Sequence, residues 1–151
     1  MDQVYTKEAL FLPQLPDKFL LGTPEIRKGK QMYPYPSTTF SSWRVPEISE
    51  QLDDFLQPYF DFPIFVIYQI IENDMPVHTD DGREFAYNYL LQPGGENIET
   101  RWWAGDEVVF SKVFPLHTWH WLNVSIPHDV EKVETERVSV SIKYAKWKDN
   151  V

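Results

Sequence analysis

Four histidines are the whole supply of imidazole in this 151-residue chain. One of them stands in Pro76-Val77-His78-Thr79-Asp80. In an extended segment residues i and i+2 project to the same side, so His78 and Asp80 present an imidazole and a carboxylate together. There is no cysteine. Disulfides, thiolate metal sites, iron–sulfur clusters and cysteine nucleophiles are therefore excluded, and any metal must be held by His, Asp or Glu. Two histidines and one carboxylate on one face of a metal leave positions open opposite, which suits non-heme Fe(II). The second imidazole must come from His117, His120 or His128. A His-x-Asp alone is a weak motif, so its context decides. His128 lies fifty positions after His78, and Arg137-Val138-Ser139 begins nine positions after His128.

Elements must exist to bring these groups together. Ile64-Phe65-Val66-Ile67-Tyr68-Gln69-Ile70-Ile71 is a β-branched and aromatic run that predicts a central strand buried on both faces and leading toward His78. Further strands are predicted over Phe85 to Leu91, Ile98 to Trp103, Glu107 to Phe110, Trp121 to Ile126 and Arg137 to Lys146. Turns at Pro93-Gly94-Gly95 and Ala104-Gly105-Asp106 separate some of them. Ile48, Leu52, Phe55 and Leu56 recur at helical spacing opposite Glu47, Glu50, Asp53 and Asp54. They predict an amphipathic helix over 47 to 57, with Pro46 near its start and Pro58 after its end. Six prolines before residue 47 forbid long helices there and keep strands short or at an edge. That segment reads as a cover, with Tyr33, Tyr35, Phe40 and Trp43 laid over one sheet face.

One early helix followed by some seven short strands predicts a mainly β fold of sandwich or jelly-roll type rather than an alternating α/β sheet. The length suits a single domain, 1 to 151, with an N-terminal cover to about 60 and a barrel over 61 to 148. Net charge is −9 and the basic residues are scattered, which argues against a nucleic-acid partner. No stretch of about twenty apolar residues exists to cross a membrane, and the N-terminus lacks signal-peptide character, so a cytoplasmic location is expected.

The set His78-x-Asp80, His128-x-Val130 and Arg137-x-Ser139 resembles, in order and spacing, the signature of the Fe(II)/2-oxoglutarate-dependent oxygenases. The segment from Phe85 to Glu96 is similar to the strand and Gly-Gly turn that follow the first two ligands in prolyl-hydroxylase-like members. The likeness spans about 64 to 145. It departs at Glu136, where members often have Gly, and in a His-to-Arg interval toward the short end. The resemblance implies a double-stranded β-helix, cupin-like, acting as a hydroxylase. It implies His78, Asp80 and His128 as ligands of Fe(II), and 2-oxoglutarate as a cosubstrate decarboxylated to succinate with dioxygen. Arg137 would anchor the distal carboxylate through its planar fork, and Ser139 would add a hydrogen bond. A peptide side chain or small metabolite would be hydroxylated.

Other residues compete for roles. His117 and His120, among aromatic neighbours, suit packing. Tyr68, Tyr87, Tyr89 and Asn123 are candidates to contact the cosubstrate or substrate, because buried hydroxyls and amides need partners. Tyr68 leads them, since its strand runs toward His78. Trp102 and Trp103 face opposite sides of one strand, so at most one can line a pocket, and Asp81 suits a turn or solvent. Two alternatives stand: a cupin-type metal enzyme that does not use 2-oxoglutarate, and a β-sandwich binding module without catalysis.

Overall fold

The computed structural model describes residues 3–32, 39–80 and 84–144. Tyr33, Tyr35, Asp81 and the last residues of the expected barrel lie outside them. Eleven strands are present among the described residues: β1 (Thr6–Glu8), β2 (Lys30–Met32), β3 (Phe40–Arg44), β4 (Ile64–Ile71), β5 (Met75–His78), β6 (Phe85–Gln92), β7 (Glu99–Ala104), β8 (Glu107–Lys112), β9 (Trp119–Asn123), β10 (His128–Glu131) and β11 (Arg137–Tyr144). They form a seven-stranded sheet, β1-β9-β6-β11-β4-β3-β2, and a four-stranded sheet, β5-β10-β7-β8. Every recorded pairing is antiparallel. Spatial neighbours are distant in sequence, as β11 between β6 and β4 shows. This connectivity of two facing antiparallel sheets is that of the jelly roll, the double-stranded β-helix expected from the sequence.

The large sheet is buried on both faces because each has its own occupant. Val66, Tyr68 and Ile70 of β4, with Val138, Val140 and Ile142 of β11, form the core with Leu12, Leu15, Phe19, Ile26, Leu52 and Leu56 of the N-terminal cover. The other face looks toward the small sheet. A continuously apolar β4 follows from this double burial.

Helix α2 (Ile48–Leu56), which follows the short α1 (Thr23–Ile26), lies within the predicted range. It buries Leu52 and Leu56 against the sheet. Its acidic side is not wholly solvated. Asp53 Oδ1 accepts from the Val66 amide at 2.7 Å and from Arg44 Nη1 at 2.9 Å, tying the helix to β4 and β3.

The cover is built differently from the expectation in one respect. Phe40 and Trp43 do not lie over a sheet but belong to it, since β3 pairs with β4 with Phe40 opposite Ile71 and Trp43 opposite Tyr68. The covering side chains are instead aliphatic ones with Phe19, and Phe55, Phe60 and Phe62 pack partly buried against them. No helix among the described residues is long and apolar enough to cross a membrane.

Candidate functional site

Two short strands the sequence did not reveal, β5 and β10, supply the histidines. They pair antiparallel with His128 directly opposite His78. The rings lie 4.4 Å apart between centroids. Pro76 is tolerated because β5 is the edge of its sheet, where a missing N–H breaks no ladder. Asp80, two residues beyond His78, has its backbone amide bonded to the Val124 carbonyl at 3.0 Å. That bond folds the carboxylate back between the two rings. Asp80 Oδ1 lies 3.5 Å from His78 Nε2 and 3.3 Å from His128 Nε2. One ligand atom from each residue falls within 4.8 Å of the others, the dimension of a metal's inner shell.

The ring orientations are fixed by backbone carbonyls. His78 Nδ1 lies 2.7 Å from the Pro76 oxygen, and His128 Nδ1 lies 2.7 Å from the Ile126 oxygen. A carbonyl only accepts, so Nδ1 carries the proton in each ring and the Nε2 lone pair faces Asp80 in the neutral imidazole. This is the tautomer a metal requires. Hydrogen bonding to the Asp80 carboxylate raises the His78 pKa above the ordinary imidazole value, against the opposing effect of burial. Beside His128, Asp129 faces the other way and takes a forked pair from Arg101 at 3.1 and 2.7 Å. Arg101 in turn stacks on Trp103 and reaches Glu131. The pair staples β10 to β7, and so holds His128 in register.

Between the sheets lies a cavity of about 540 Å³ reached by His78, Asp80, His128, Arg137 and Ser139. Arg137 opens β11, and the period-two alternation that sends Val138 and Val140 into the cover's core turns Arg137 and Ser139 toward the cavity. Arg137 is 7% exposed, and burial pushes its pKa down to about 10. Its guanidinium donates to the Pro93 carbonyl at 3.1 Å. Among the described residues no carboxylate forms an ion pair with it. The Pro93-Gly94-Gly95 turn that supplies this carbonyl also packs directly on the arginine. Gly94 has φ +78°, and a Cβ there would lie 2.9 Å from Arg137 Cβ and from its backbone nitrogen.

Glu136, the departure from the expected pattern, has a separate task. Its carboxylate receives Arg27 and, at 3.1 Å, the Thr23 hydroxyl, clasping the N-terminal cover to the start of β11. Hydrogen bonding to Arg27 holds the Glu136 carboxyl below its usual range.

Tyr68 requires correction as a site candidate. It is fully buried in the cover's core, and its hydroxyl donates to the Phe19 carbonyl at 2.8 Å. Its β4 neighbours Ile67 and Gln69 have the opposite parity and line the cavity. The same alternation takes Tyr87 and Tyr89 away from the cavity and turns Asn88 and Leu90 into it. Asn123 is spent on bonds to the Val4 carbonyl and to Ser125. Neither tryptophan is among the lining residues: Trp102 fills a small core with Ala86, Leu122 and Val124. His117 stacks on Tyr89, as a packing role implies. His120 packs edge-on against Phe114, yet it also lines the cavity. Asn88 is thus a cavity residue that residue type did not single out, and His120 one that was expected only to pack; strand parity was the signal that could have placed both.

No protein-family model matches the sequence, and no curated protein matches it. Solved structures do resemble it. A protein of the 2OG-Fe(II) oxygenase family from Burkholderia pseudomallei superimposes with a TM-score of 0.50 at 13% identity, over 89% of this chain and 84% of that one. Hydroxypropylphosphonic acid epoxidase from S. wedmorenis gives a TM-score of 0.49 at 8% identity, over 79% of this chain and 56% of that one. A Bacillus subtilis oxalate decarboxylase variant gives 0.49 at 10% identity, over 79% of this chain. The chain spans only 28% of that decarboxylase. At 13% identity the likeness to the Burkholderia protein is one of fold alone, and it agrees with the jelly roll described above.

Proposed function

We propose that this chain is an Fe(II)/2-oxoglutarate-dependent oxygenase that hydroxylates a small metabolite or a peptide side chain. The observation that carries the reading is Arg137, a buried cation without a carboxylate partner among the described residues, in the same cavity as His78, Asp80 and His128. A buried charge is normally paired. An anionic ligand entering this cavity supplies the missing charge.

The donor set fits the metal. The Nε2 atoms of His78 and His128 and the Asp80 carboxylate would hold it, and two imidazoles with one carboxylate are a donor set suited to non-heme Fe(II), which would keep positions for a cosubstrate and dioxygen. When bound, the metal supplies the oxidative chemistry that couples decarboxylation of 2-oxoglutarate to hydroxylation of a C–H bond. The chain's own contribution is placement. Arg137 receives the distal carboxylate in two charge-assisted hydrogen bonds, its fork already aimed by the Pro93 carbonyl. Ser139, on the same face of β11, offers its hydroxyl to the same ligand. Ile67, Ile71, Leu90 and Val130 line the space between and keep water from the reacting centre.

An anaerobic titration of the metal-free protein with Fe(II) and then 2-oxoglutarate tests the proposal. The expected result is a visible charge-transfer band that needs both additions and disappears in His78→Ala. Iron binding with no response to 2-oxoglutarate would instead indicate a cupin-type metal enzyme that uses a different ligand at Arg137. Failure to bind iron in a folded sample overturns the reading.

A further inference from the structure

Toward β3, Arg137 stands in an otherwise apolar row. Ile71 of β4 lies directly opposite it, and Phe40 of β3 opposite Ile71. The next row inward is polar: Ser139 of β11 faces Gln69 of β4, and Gln69 faces Ser42 of β3. All three line the cavity, so a hydroxyl, an amide and a second hydroxyl follow one another across three adjacent strands of its wall. Directly opposed side chains start about 5 Å apart, and the row lies about 7 Å from Arg137, one strand repeat along β11. Nothing in the fold uses these groups. Among the described residues none of the three side chains makes a hydrogen bond, and none of their polar atoms is sealed away as the Asn88 oxygen and the Ser141 hydroxyl are. Gln69 is the one residue of β4 that is only partly buried, its side chain reaching into the cavity. Polar groups set in an interior wall are normally paired. For this row the partner must come from the cavity.

We propose that Gln69, oriented by Ser42, binds the anion held by Arg137, so that the anion site runs from β11 across β4 to β3. Arg137 sets the sign of the ligand. Among the described residues the one carboxylate lining the cavity is Asp80, which lies between the two histidine rings. An anion at Arg137 receives charge-assisted bonds from the guanidinium and further donors from the row. The positions assign the roles within it. Ser42 lies on the side of Gln69 away from β11. Its hydroxyl, donating to the Gln69 oxygen, turns the amide nitrogen toward β11, where it donates to the anion beside Ser139. The opposite amide orientation would set an oxygen lone pair against a negative charge. Ser42 acts through Gln69 and is thus a positioning residue. Lys143, the other cation lining the cavity, lies beyond Ser141 on β11, about 13 Å from Ser139 at the usual rise, and so does not serve the same carboxylate. Strand β3 belongs to the N-terminal segment, which therefore supplies part of the binding wall as well as a cover. The identity of the anion as 2-oxoglutarate rests on the oxygenase reading; the anion site does not.

The test uses NMR of the isotopically labelled, metal-free full chain, following the Gln69 side-chain amide as glutarate is added, with glutaramide as the uncharged control. Glutarate has two carboxylates but no oxo group to chelate a metal, so it reports the anion site alone. The proposal is supported if glutarate shifts the Gln69 signals saturably and glutaramide at the same concentration does not. Gln69→Leu, followed through the Ser139 backbone amide, should then weaken glutarate about tenfold. The near-isosteric Gln69→Glu should weaken it further, because a carboxylate there pairs with Arg137 in the ligand's place. Ser42→Ala should weaken it about threefold, while Ser42→Thr, which keeps the hydroxyl, retains the parent affinity. Thermal unfolding confirms that each variant is folded. Gln69 signals that stay in place while glutarate binds overturn the proposal, as do Gln69→Leu and Gln69→Glu variants that bind it like the parent. 2-Oxoglutarate added with Zn(II) separates the two readings. If it binds no more tightly than glutarate while the Gln69 dependence holds, the oxygenase reading fails and the anion site stands. If it binds tightly and the Gln69 variants leave its affinity unchanged, the Gln69 assignment fails and the oxygenase reading stands. Binding of neither anion overturns both.

Discussion

Arg137 imposes a cost on the fold that only a ligand relieves. Its pKa, pushed down by burial to about 10, lies below the ordinary guanidinium value, so the unfolded chain holds that proton more firmly than the folded one. The penalty is full below about pH 10 and fades as pH rises toward the ordinary value. Replacing the guanidinium with an apolar side chain of similar length should therefore help stability while removing function. Arg137→Met is expected to stabilise the metal-free protein by about 1–3 kcal/mol in denaturant unfolding. The same variant should weaken 2-oxoglutarate by at least ~100-fold, the worth of two charge-assisted bonds, with iron affinity retained. A variant that is less stable and binds cosubstrate normally would place the anchor elsewhere. Tyr68 carries the opposite expectation, since it serves the core. Burial raises its pKa, so its neutral hydroxyl supports the fold below about pH 10 and that support is lost as pH rises through the raised folded value. Tyr68→Phe should cost about 1 kcal/mol through the lost bond to Phe19 and make alkaline unfolding less steep. Its metal and 2-oxoglutarate affinities should equal those of the parent, and a change in either would return Tyr68 to the site.

Parity along strands separates what the sequence disclosed from what it concealed. The run at 64–71 was visible as a strand because it is rich in β-branched residues and buried on both faces, and 137–144 because polar and apolar residues alternate along it. In the first, double burial also hid the orientation. With no polar face to mark the outside, Tyr68 looked as good a cavity residue as Gln69, and Tyr87 and Tyr89 better than Asn88. Strands β5 and β10 were invisible for another reason: each has four residues, and Pro76 interrupts one of them. The grouping of His78, Asp80 and His128 was nevertheless legible as a candidate donor set, because a His-x-Asp pair and the order of His128 and Arg137 need no knowledge of which strands carry them. The turn before β7 illustrates how one element aims another. Its Gly94, with φ +78°, is pressed against Arg137 closely enough that a Cβ would meet the arginine backbone. Gly94→Ala is thus expected to cost about 1–3 kcal/mol in stability, from left-handed strain and from displacement of β11. It should also raise the apparent dissociation constant for 2-oxoglutarate several-fold while leaving iron binding near normal. Loss of stability alone, with unchanged cosubstrate affinity, would show that β11 keeps its place without the turn.

At the scale of the whole molecule, the two sheets answer to different demands. The large one is fixed from outside by α2 and the N-terminal segments, through the shared core and the Asp53 bonds to Val66 and Arg44. Among the described residues the small one has no comparable cover. It meets the large sheet through two clusters, Ile71, Met75, Ile98 and Val130, and Trp102 with Ala86, Leu122 and Val124, each much smaller than the one beneath the cover. Strand β5 pairs with β10 at the edge of its sheet and anchors through Met75, with Val77 exposed. A metal held by His78, Asp80 and His128 would add a further link between the end of β5, β10 and the segment that bonds Val124. Binding to the folded state alone stabilises it by about 2.7 kcal/mol when the free metal is a hundred times its dissociation constant. For a chain of this size that corresponds to a rise in Tm of about 5–10 °C. Anaerobic Fe(II), or Mn(II) in air, should produce such a rise, measured by scanning calorimetry. Asp80→Asn should abolish it, because the neutral amide no longer offsets the cation's charge between the two rings. Hydrogen exchange should show the added protection concentrated in β5 and β10 and not in β4 or β11. A stabilisation spread evenly over both sheets, or one that survives in Asp80→Asn, would mean that the metal binds somewhere other than between His78 and His128.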